Sequence, residues 1–347
     1  VPIIGTIASA FRILTKYYLS IGTNSTSPVI TTYPWTSSGY GAKYADPATL
    51  PNGFGLKVKF NASSTNIAAA GGTSATSPYV FVYPWSDAGY GTKYADAASP
   101  PGSATSVGWN PAGTAFAVGI SATPYVNAWI WSAGFSTKYS NPATALPGLA
   151  PLGMNWSPDG TYFGITYPSG SPTASVYDWT AGSGFGTKVA NPATAAGVNG
   201  QDVRWSPAGT DIIITTNTTS PWVNAYPWSA GFGSKYAAPA VTPPGAPIGN
   251  FGWHPTGTVV AFPANATTSS VYAWSAGFGT KYADPATAIT TGSSRGGANF
   301  SLSGTEIAYG LTATPYTAAY AWSSGFGTKY SNPATLPAGV GNSISMG

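Results

Sequence analysis

The chain carries few residues of the kinds that do acid–base, nucleophilic or metal chemistry. Its 347 residues include one histidine, His254, no cysteine, and nine Asp plus Glu. His254 occupies a turn slot that sister segments fill with Asn110, Ser157 and Ser206, so a structural hydrogen-bonding role is expected for it. A metal centre or a Ser-His-Asp system needs more ligands or partners than this. Asp46, Asp96 and Asp284 share one slot with Asn141, Asn191, Asn332 and Ala238, an evenness that fits strand-end turns better than a catalytic pair. Asp211 and Glu306 each follow a Gly-Thr turn and read as solvated, so no carboxylate pair for hydrolysis is assigned. The phrase "GFGTKY" holds a lysine, but it forms strand and does not open a helix as a phosphate loop would. The expectation is a protein that is not an enzyme, with no metal and no cofactor.

Binding chemistry is easier to place. An aromatic follows proline at one register in four loops: Tyr79, Tyr125, Trp222 and Tyr316. Such a rim could stack on the faces of sugars. The competing reading is that these rings open strands and pack between neighbours, since Tyr and Trp are good strand residues.

Composition sets the kind of scaffold that must hold such groups. Charged residues make up 6% of the chain and hydrophobic ones 43%, with 44 Gly, 31 Pro, 22 Tyr and 13 Trp. Helix formers are scarce, so strands and tight turns are expected. A net charge of +4 spread over the whole length makes no basic run, which argues against nucleic acid. No apolar run is long enough to span a membrane as a helix. The opening "VPIIGTIASAF" lacks a basic leader region and reads as a mature N-terminus. Six glycosylation sequons, at Asn24, Asn61, Asn155, Asn217, Asn265 and Asn299, are what chance gives in so Asn-, Ser- and Thr-rich a chain.

The organising feature is repetition. A tryptophan recurs at Trp35, Trp85, Trp131, Trp179, Trp228, Trp274 and Trp322, about every 48 residues, the period of a propeller blade. A lysine follows each: Lys43, Lys93, Lys138, Lys188, Lys235, Lys281 and Lys329. Upstream stands a second phrase, seen as "GWNPAGT", "NWSPDGT", "RWSPAGT", "GWHPTGT" and "NFSLSGT", with a weaker "KFNASST". Each unit divides into four short strands. The first ends at the aromatic of "GW", and Pro and Gly make the next turn. An apolar run such as "DIIITT" is the second, the segment ending at the Trp the third, and "TKYADP" the fourth. Pro34, Pro84 and Pro227 lie inside the third strand, which should bulge or end there.

The fold class expected is therefore all-β, a seven-bladed β-propeller of four-stranded antiparallel blades, because one blade alone cannot bury both faces. The "WSPDGT" turn and the Trp closing the third strand resemble WD-repeat β-propellers. Ser or Thr follows that Trp where the family has Asp, and the Gly-His pair is missing, so the family's Asp/His network is not expected. The iterated "GFGTKYSNPATLP" resembles repeat proteins of tailed-bacteriophage virions.

Ring closure has two candidates. Counting 17 residues from Lys329, the spacing from Lys43 to Phe60, lands on Met346; Phe11 also fits the first-strand slot of repeat one. Closure by the C-terminal tail is favoured, leaving residues 1–10 as an apolar arm (Pro2, Ile3, Ile4, Ile7) and 11–347 as the propeller. The resemblance then implies a non-enzymatic structural or adhesion propeller on a virion surface or other extracellular assembly. Its arm would engage other structural proteins of that assembly or copies of itself by strand addition. A lectin binding cell-surface glycans through the aromatic rim is the alternative.

Overall fold

The structure, a computed structural model, describes residues 17–25, 28–51, 53–72, 78–97, 102–144, 146–170, 172–218, 220–247, 249–263, 270–289 and 296–347. The proposed arm residues Pro2, Ile3, Ile4 and Ile7, and Phe11, lie outside them. Seven antiparallel sheets follow one another along the chain, each one repeat unit. Blade 2 is typical, running Phe54–Phe60, Asn66–Gly72, Val80–Ser86 and Gly89–Tyr90 from the axis outward. Inner strands pair with second strands, second with third and third with fourth, so chain order is also radial order.

The closing strand is C-terminal. Val340–Met346 pairs antiparallel with Tyr17–Asn24 and takes the innermost place of blade 1, with Met346 opposite Leu19. Its hydroxyls also reach blade 2. Ser343 Oγ accepts from the Val58 amide at 3.0 Å and Ser345 Oγ from the Phe60 amide at 3.2 Å. The free edge of the blade 2 inner strand is thus met by side chains where no further strand can pair.

Proline acts as expected. In blades 1 and 2, which carry Pro34 and Pro84, the fourth strand shrinks to Gly39–Tyr40 and Gly89–Tyr90. In blade 5 the third strand ends at Pro227, and the fourth is reduced to one bridge between Trp228 and Phe232. Elsewhere the fourth strand ends in "FGTK" or "FSTK", as in Phe278–Lys281 and Phe135–Lys138, and lies earlier than the expected "TKYADP". The chain leaves the sheet at the lysine, whose ammonium meets the side chain three residues on. Lys43 Nζ lies 2.5 Å from Asp46 and Lys281 Nζ 2.9 Å from Asp284; Lys93 pairs likewise with Asp96. Lys138, Lys188 and Lys329 use Asn141, Asn191 and Asn332 at 3.1, 2.6 and 3.0 Å. These lysines close a turn; Lys43, Lys93 and Lys281 are mostly covered, while Lys138 is exposed. In the fifth copy Ala238 offers no acceptor.

The core is seven apolar seams, each drawn from two adjoining blades. The third-strand tyrosine ties down the preceding "PAT" loop: Tyr83 donates to Thr49 O at 2.6 Å, Tyr226 to Thr194 O at 2.8 Å and Tyr320 to Thr287 O at 3.0 Å. The tyrosine that follows the repeat lysine packs edge-on against the tryptophan of the next blade, as in Tyr94–Trp131 and Tyr139–Trp179, both at 5.0 Å. Those repeated words of the sequence are seam contacts.

Candidate functional site

Aligning the inner strands on their terminal aromatic separates structural slots from variable ones. Val58, Val107 and Val203 fill one slot and are fully buried between blades. The residue just before the aromatic varies: Lys59, Gly108, Asn155, Arg204, Gly252, Asn299 and Ser345. Two positions earlier stand Lys57, Ser106, Gly153, Asp202, Asn250, Gly297 and Ser343. Alternation in a strand puts these two slots on one face. Their contacts place that face on the axis.

A third variable slot sits one residue further up, at Leu56, Thr105, Leu152, Gln201, Gly249, Gly296 and Asn342. The strands bulge here. Register shifts between Gly55 and Lys57, Ala104 and Ser106, Gly200 and Asp202, and Gly341 and Ser343 leave Leu56, Thr105, Gln201 and Asn342 as the extra residues. A bulge re-aims its side chain. Here, with Lys57, Leu152 and Gly249, the bulged residues line an axial cavity of about 260 Å³. Because second strands end and third strands begin beside this end of the inner strands, the cavity opens on the face that carries the long interblade loops.

Beneath it the polar side chains reach across the ring. Lys57 Nζ, from blade 2, donates to Asn250 Oδ1 at the head of blade 6. Lys59 Nζ donates to Asn155 Oδ1 at 2.6 Å and Met154 O at 3.2 Å, in blade 4. Asn155 Nδ2 in turn donates to Val203 O at 2.7 Å and Asp202 Oδ1 at 3.3 Å, in blade 5. Arg204 Nε donates to Asp202 Oδ2 at 2.8 Å, and its guanidinium lies 5.6 Å from the Phe251 ring centre. Gly153 makes room for this: a methyl group there would sit 2.6 Å from Asp202 Cα. Burial strips water from both ammonium groups and lowers their pKa, with the Arg204 charge adding to the effect. Lys57 falls to about 8 and Lys59 to about 7, so each holds a neutral amine fraction near physiological pH. A buried amine in a cavity wall is a base or nucleophile in a way that an exposed lysine is not.

The residues singled out from sequence lie elsewhere. Tyr79, Tyr125, Trp222 and Tyr316 are on the same face, half-buried, at the corner leading into each third strand. Their carbonyls accept from Gly71, Ile120, Thr216 and Leu311 at 2.8, 2.9, 2.8 and 2.8 Å. Tyr125, Trp222 and Tyr316 hold φ of 66°, 57° and 66°, a left-handed conformation unusual for bulky side chains. None of the four is among the residues lining the axial cavity. His254 is a turn residue, its Nδ1 2.7 Å from Thr256 Oγ1 and its Nε2 3.0 Å from Gly304 O. Asp211, read as solvated, is buried and accepts from Tyr236 Oη at 2.8 Å. Sequence reasoning does not reach these lysines: Lys59 opens the weak repeat phrase "KFNASST", and Lys57 lies just outside it. The usable signal was that Lys59 and Arg204 stand where sister copies have Gly or Asn.

No protein-family model matches the chain, and no curated sequence is similar to it. Solved structures are similar over nearly the whole length. A candidate 6-phosphogluconolactonase from Bacteroides uniformis is 14% identical, with a TM-score of 0.69 over 96% of this chain and 100% of its own. One from Bacteroides fragilis is 13% identical, with a TM-score of 0.70 over 96% and 98%. The periplasmic gluconolactonase of Pseudomonas aeruginosa is 13% identical, with a TM-score of 0.68 over 95% and 99%. At such identities the likeness is one of fold.

These findings correct the functional expectation. These three propellers carry lactonase names and none is named as a WD-repeat or virion protein, so the non-enzymatic structural or adhesion reading does not stand, nor does its lectin alternative. The expectation that the chain is not an enzyme falls with them. It rests on scarce His, Cys and paired carboxylates, whereas the titratable groups at the axis are lysine, arginine and aspartate side chains on inner strands.

Proposed function

We propose that this chain hydrolyses the lactone of a sugar acid in the axial cavity, with Lys57 as the group that moves the proton. The observation that carries this is a buried lysine in the wall of the cavity on the loop face, its pKa lowered to about 8. The lactonase names of the solved propellers of the same architecture support the choice of reaction.

The chemistry needs few parts. The neutral amine of Lys57, oriented by its bond to Asn250, takes a proton from water as the water oxygen bonds to the lactone carbonyl carbon. The Asn342 side chain, lining the same cavity, supplies an amide donor for the oxygen that gains charge. When the ring C–O bond breaks, the Lys57 ammonium returns its proton to the departing alkoxide. Leu56 and Leu152 give an apolar wall that keeps the amine poorly solvated. We place Tyr316 and the other three aromatics as outer contacts for the sugar. Tyr316 O would lie 2.7 Å from a methyl at Gly341, one residue from Asn342.

Proton release measured at constant pH with glucono-δ-lactone and with 6-phosphogluconolactone tests the reading. Hydrolysis above the spontaneous rate is expected, rising through about pH 8 and lost in both Lys57→Met and Lys57→Arg. The arginine variant keeps the charge but cannot act as a base. No rate above the spontaneous one for either lactone would overturn it.

A further inference from the structure

We propose that the axis-facing side chains below the cavity form an anion seat, in which Lys59 and Arg204, with Lys57 above them, hold a small oxyanion on the propeller axis.

The first argument is charge. Lys57, Lys59 and Arg204 face the axis, and Asp202 is the one carboxylate among the residues in contact with them. The remaining neighbours, Asn155 and Asn250, are neutral amides. Two uncompensated positive charges inside a ring of apolar seams are costly, and an anion between them removes that cost.

The second argument is the supply of donors. Lys57 spends one N–H on Asn250 and Lys59 spends two, on Asn155 and Met154. Arg204 spends only Nε, on Asp202, so the guanidinium nitrogens at its tip make no hydrogen bond to any described residue. The Arg204 side chain is 17% exposed, so these nitrogens are open to an incoming ligand, and the planar guanidinium matches an oxyanion with two oxygens in line. The three cations come from two strands only, Phe54–Phe60 and Gly200–Trp205. In a ring of seven, blades 2 and 5 lie on opposite sides of the axis, so the ligand would be gripped from both. Lys57 and Lys59 are two residues apart, about 6.6 Å along a strand, which is room for a tetrahedral oxyanion between the levels.

The lowered pKa values of both lysines fit the same picture, since an anion would restore their protons. Binding should therefore take up protons and weaken as pH rises. The titratable and charged groups facing the seat are Lys57, Lys59, Asp202 and Arg204.

The seat is tested on the full chain with inorganic phosphate and with gluconate, each against sodium chloride at matched ionic strength. Melting temperature should rise with the logarithm of the concentration of at least one of them. Calorimetry in buffers of different ionisation heat should show proton uptake, and affinity should fall at least about tenfold between pH 6.5 and 8.5. A response to phosphate marks an inorganic or phosphate-bearing ligand; a response to gluconate alone marks the carboxylate of a sugar acid. Lys59→Met and Arg204→Met should each abolish the response. Arg204→Lys, which keeps the charge but loses the two-pronged geometry, should weaken it and guards against a folding defect in the other two. Equal melting temperatures in all three salts, or a response unchanged in Arg204→Lys and Arg204→Met alike, would overturn the proposal.

Discussion

Lys57 and Asn250 belong to blades 2 and 6, yet the lysine Nζ lies 2.5 Å from the asparagine Oδ1, so one hydrogen bond crosses the propeller axis. Lys59 makes a second crossing, to blade 4. Neighbouring blades are held by apolar seams, but these polar links join blades that share no seam. They also keep two ammonium groups away from bulk water, and that has a thermodynamic consequence.

Stability should rise with pH from about 6.5 to 9. Both lysines have folded-state pKa values, about 8 and about 7, below the ordinary 10.5 they regain on unfolding. Between these values the unfolded chain binds more protons than the folded one, so raising the pH favours the fold. Below about pH 7 both states are protonated and the penalty of the buried charges is fully present. Nearer pH 10 the buried tyrosines, whose pKa values burial raises, work the other way as they ionise first in the unfolded chain, so denaturant titrations from pH 6.5 to 9 should show the midpoint climbing, with a shallower climb in Lys59→Met. A flat or falling midpoint in the parent protein over that range would contradict this.

The lysine that ends each fourth strand makes a separate case. Six copies close a turn onto Asp or Asn three residues on, while Lys235 faces Ala238. Ala238→Asp should supply the missing acceptor. Asp96 and Asp284 are nearly half exposed, so the gain is small, about 0.2–0.5 kcal/mol, and it should shrink in high salt. Melting temperatures of the variant at low and high sodium chloride check both statements.

The blades were legible because seam-forming words recur. Trp35 through Trp322, the third-strand tyrosines and the "PAT" loops they bind are the same contact made again and again, and such contacts tolerate little change. Met346 was legible as the closing residue for a similar reason, by its distance from Lys329. The axial site was not, because its slots face the axis instead of a seam and change residue type from blade to blade. Lys57, Gln201 and Asn342 reach one cavity from residues up to 285 positions apart, and a bulge sets the aim of two of them. Spacing within one repeat cannot convey that. Comparing the copies slot by slot can, since the variation is greatest at the axis-facing positions and the loops.

One blade breaks the seam pattern and repairs it from another strand. Val189 stands where the other six copies have Tyr, so Trp228 lacks the phenol that packs on its counterparts. Tyr162, from the start of the second strand, comes in its place, 5.0 Å from Trp228 and at 79° to it. Tyr162→Ala should cost about 2–3 kcal/mol, near the low end for an aromatic because the ring is partly exposed. Val189→Tyr alone should also destabilise, by about 1–3 kcal/mol, since two rings would compete for one place. Combined, the two should recover most of the loss, with a coupling energy above about 1 kcal/mol in a double-mutant cycle. Additive losses would mean that Tyr162 does not stand in for the missing ring.

The closing strand supplies the most exacting test of ring integrity. Ser343 Oγ accepts from the Val58 amide at 3.0 Å, and both residues are fully buried. Ser343→Ala keeps the backbone pairing with Tyr17–Asn24 but leaves a buried N–H without its acceptor, which should cost about 1–3 kcal/mol. Ser345→Ala, at the Phe60 amide 3.2 Å away, should cost less, because that residue is nearer the end of the strand. Hydrogen exchange separates this from a general loss of packing. The amides of Val58 and Phe60 should lose protection in their respective variants, while those of the blade 4 strand Tyr162–Thr166 keep theirs. Uniform loss of protection across all blades would show that the serines act through global stability and not through the seam they bridge.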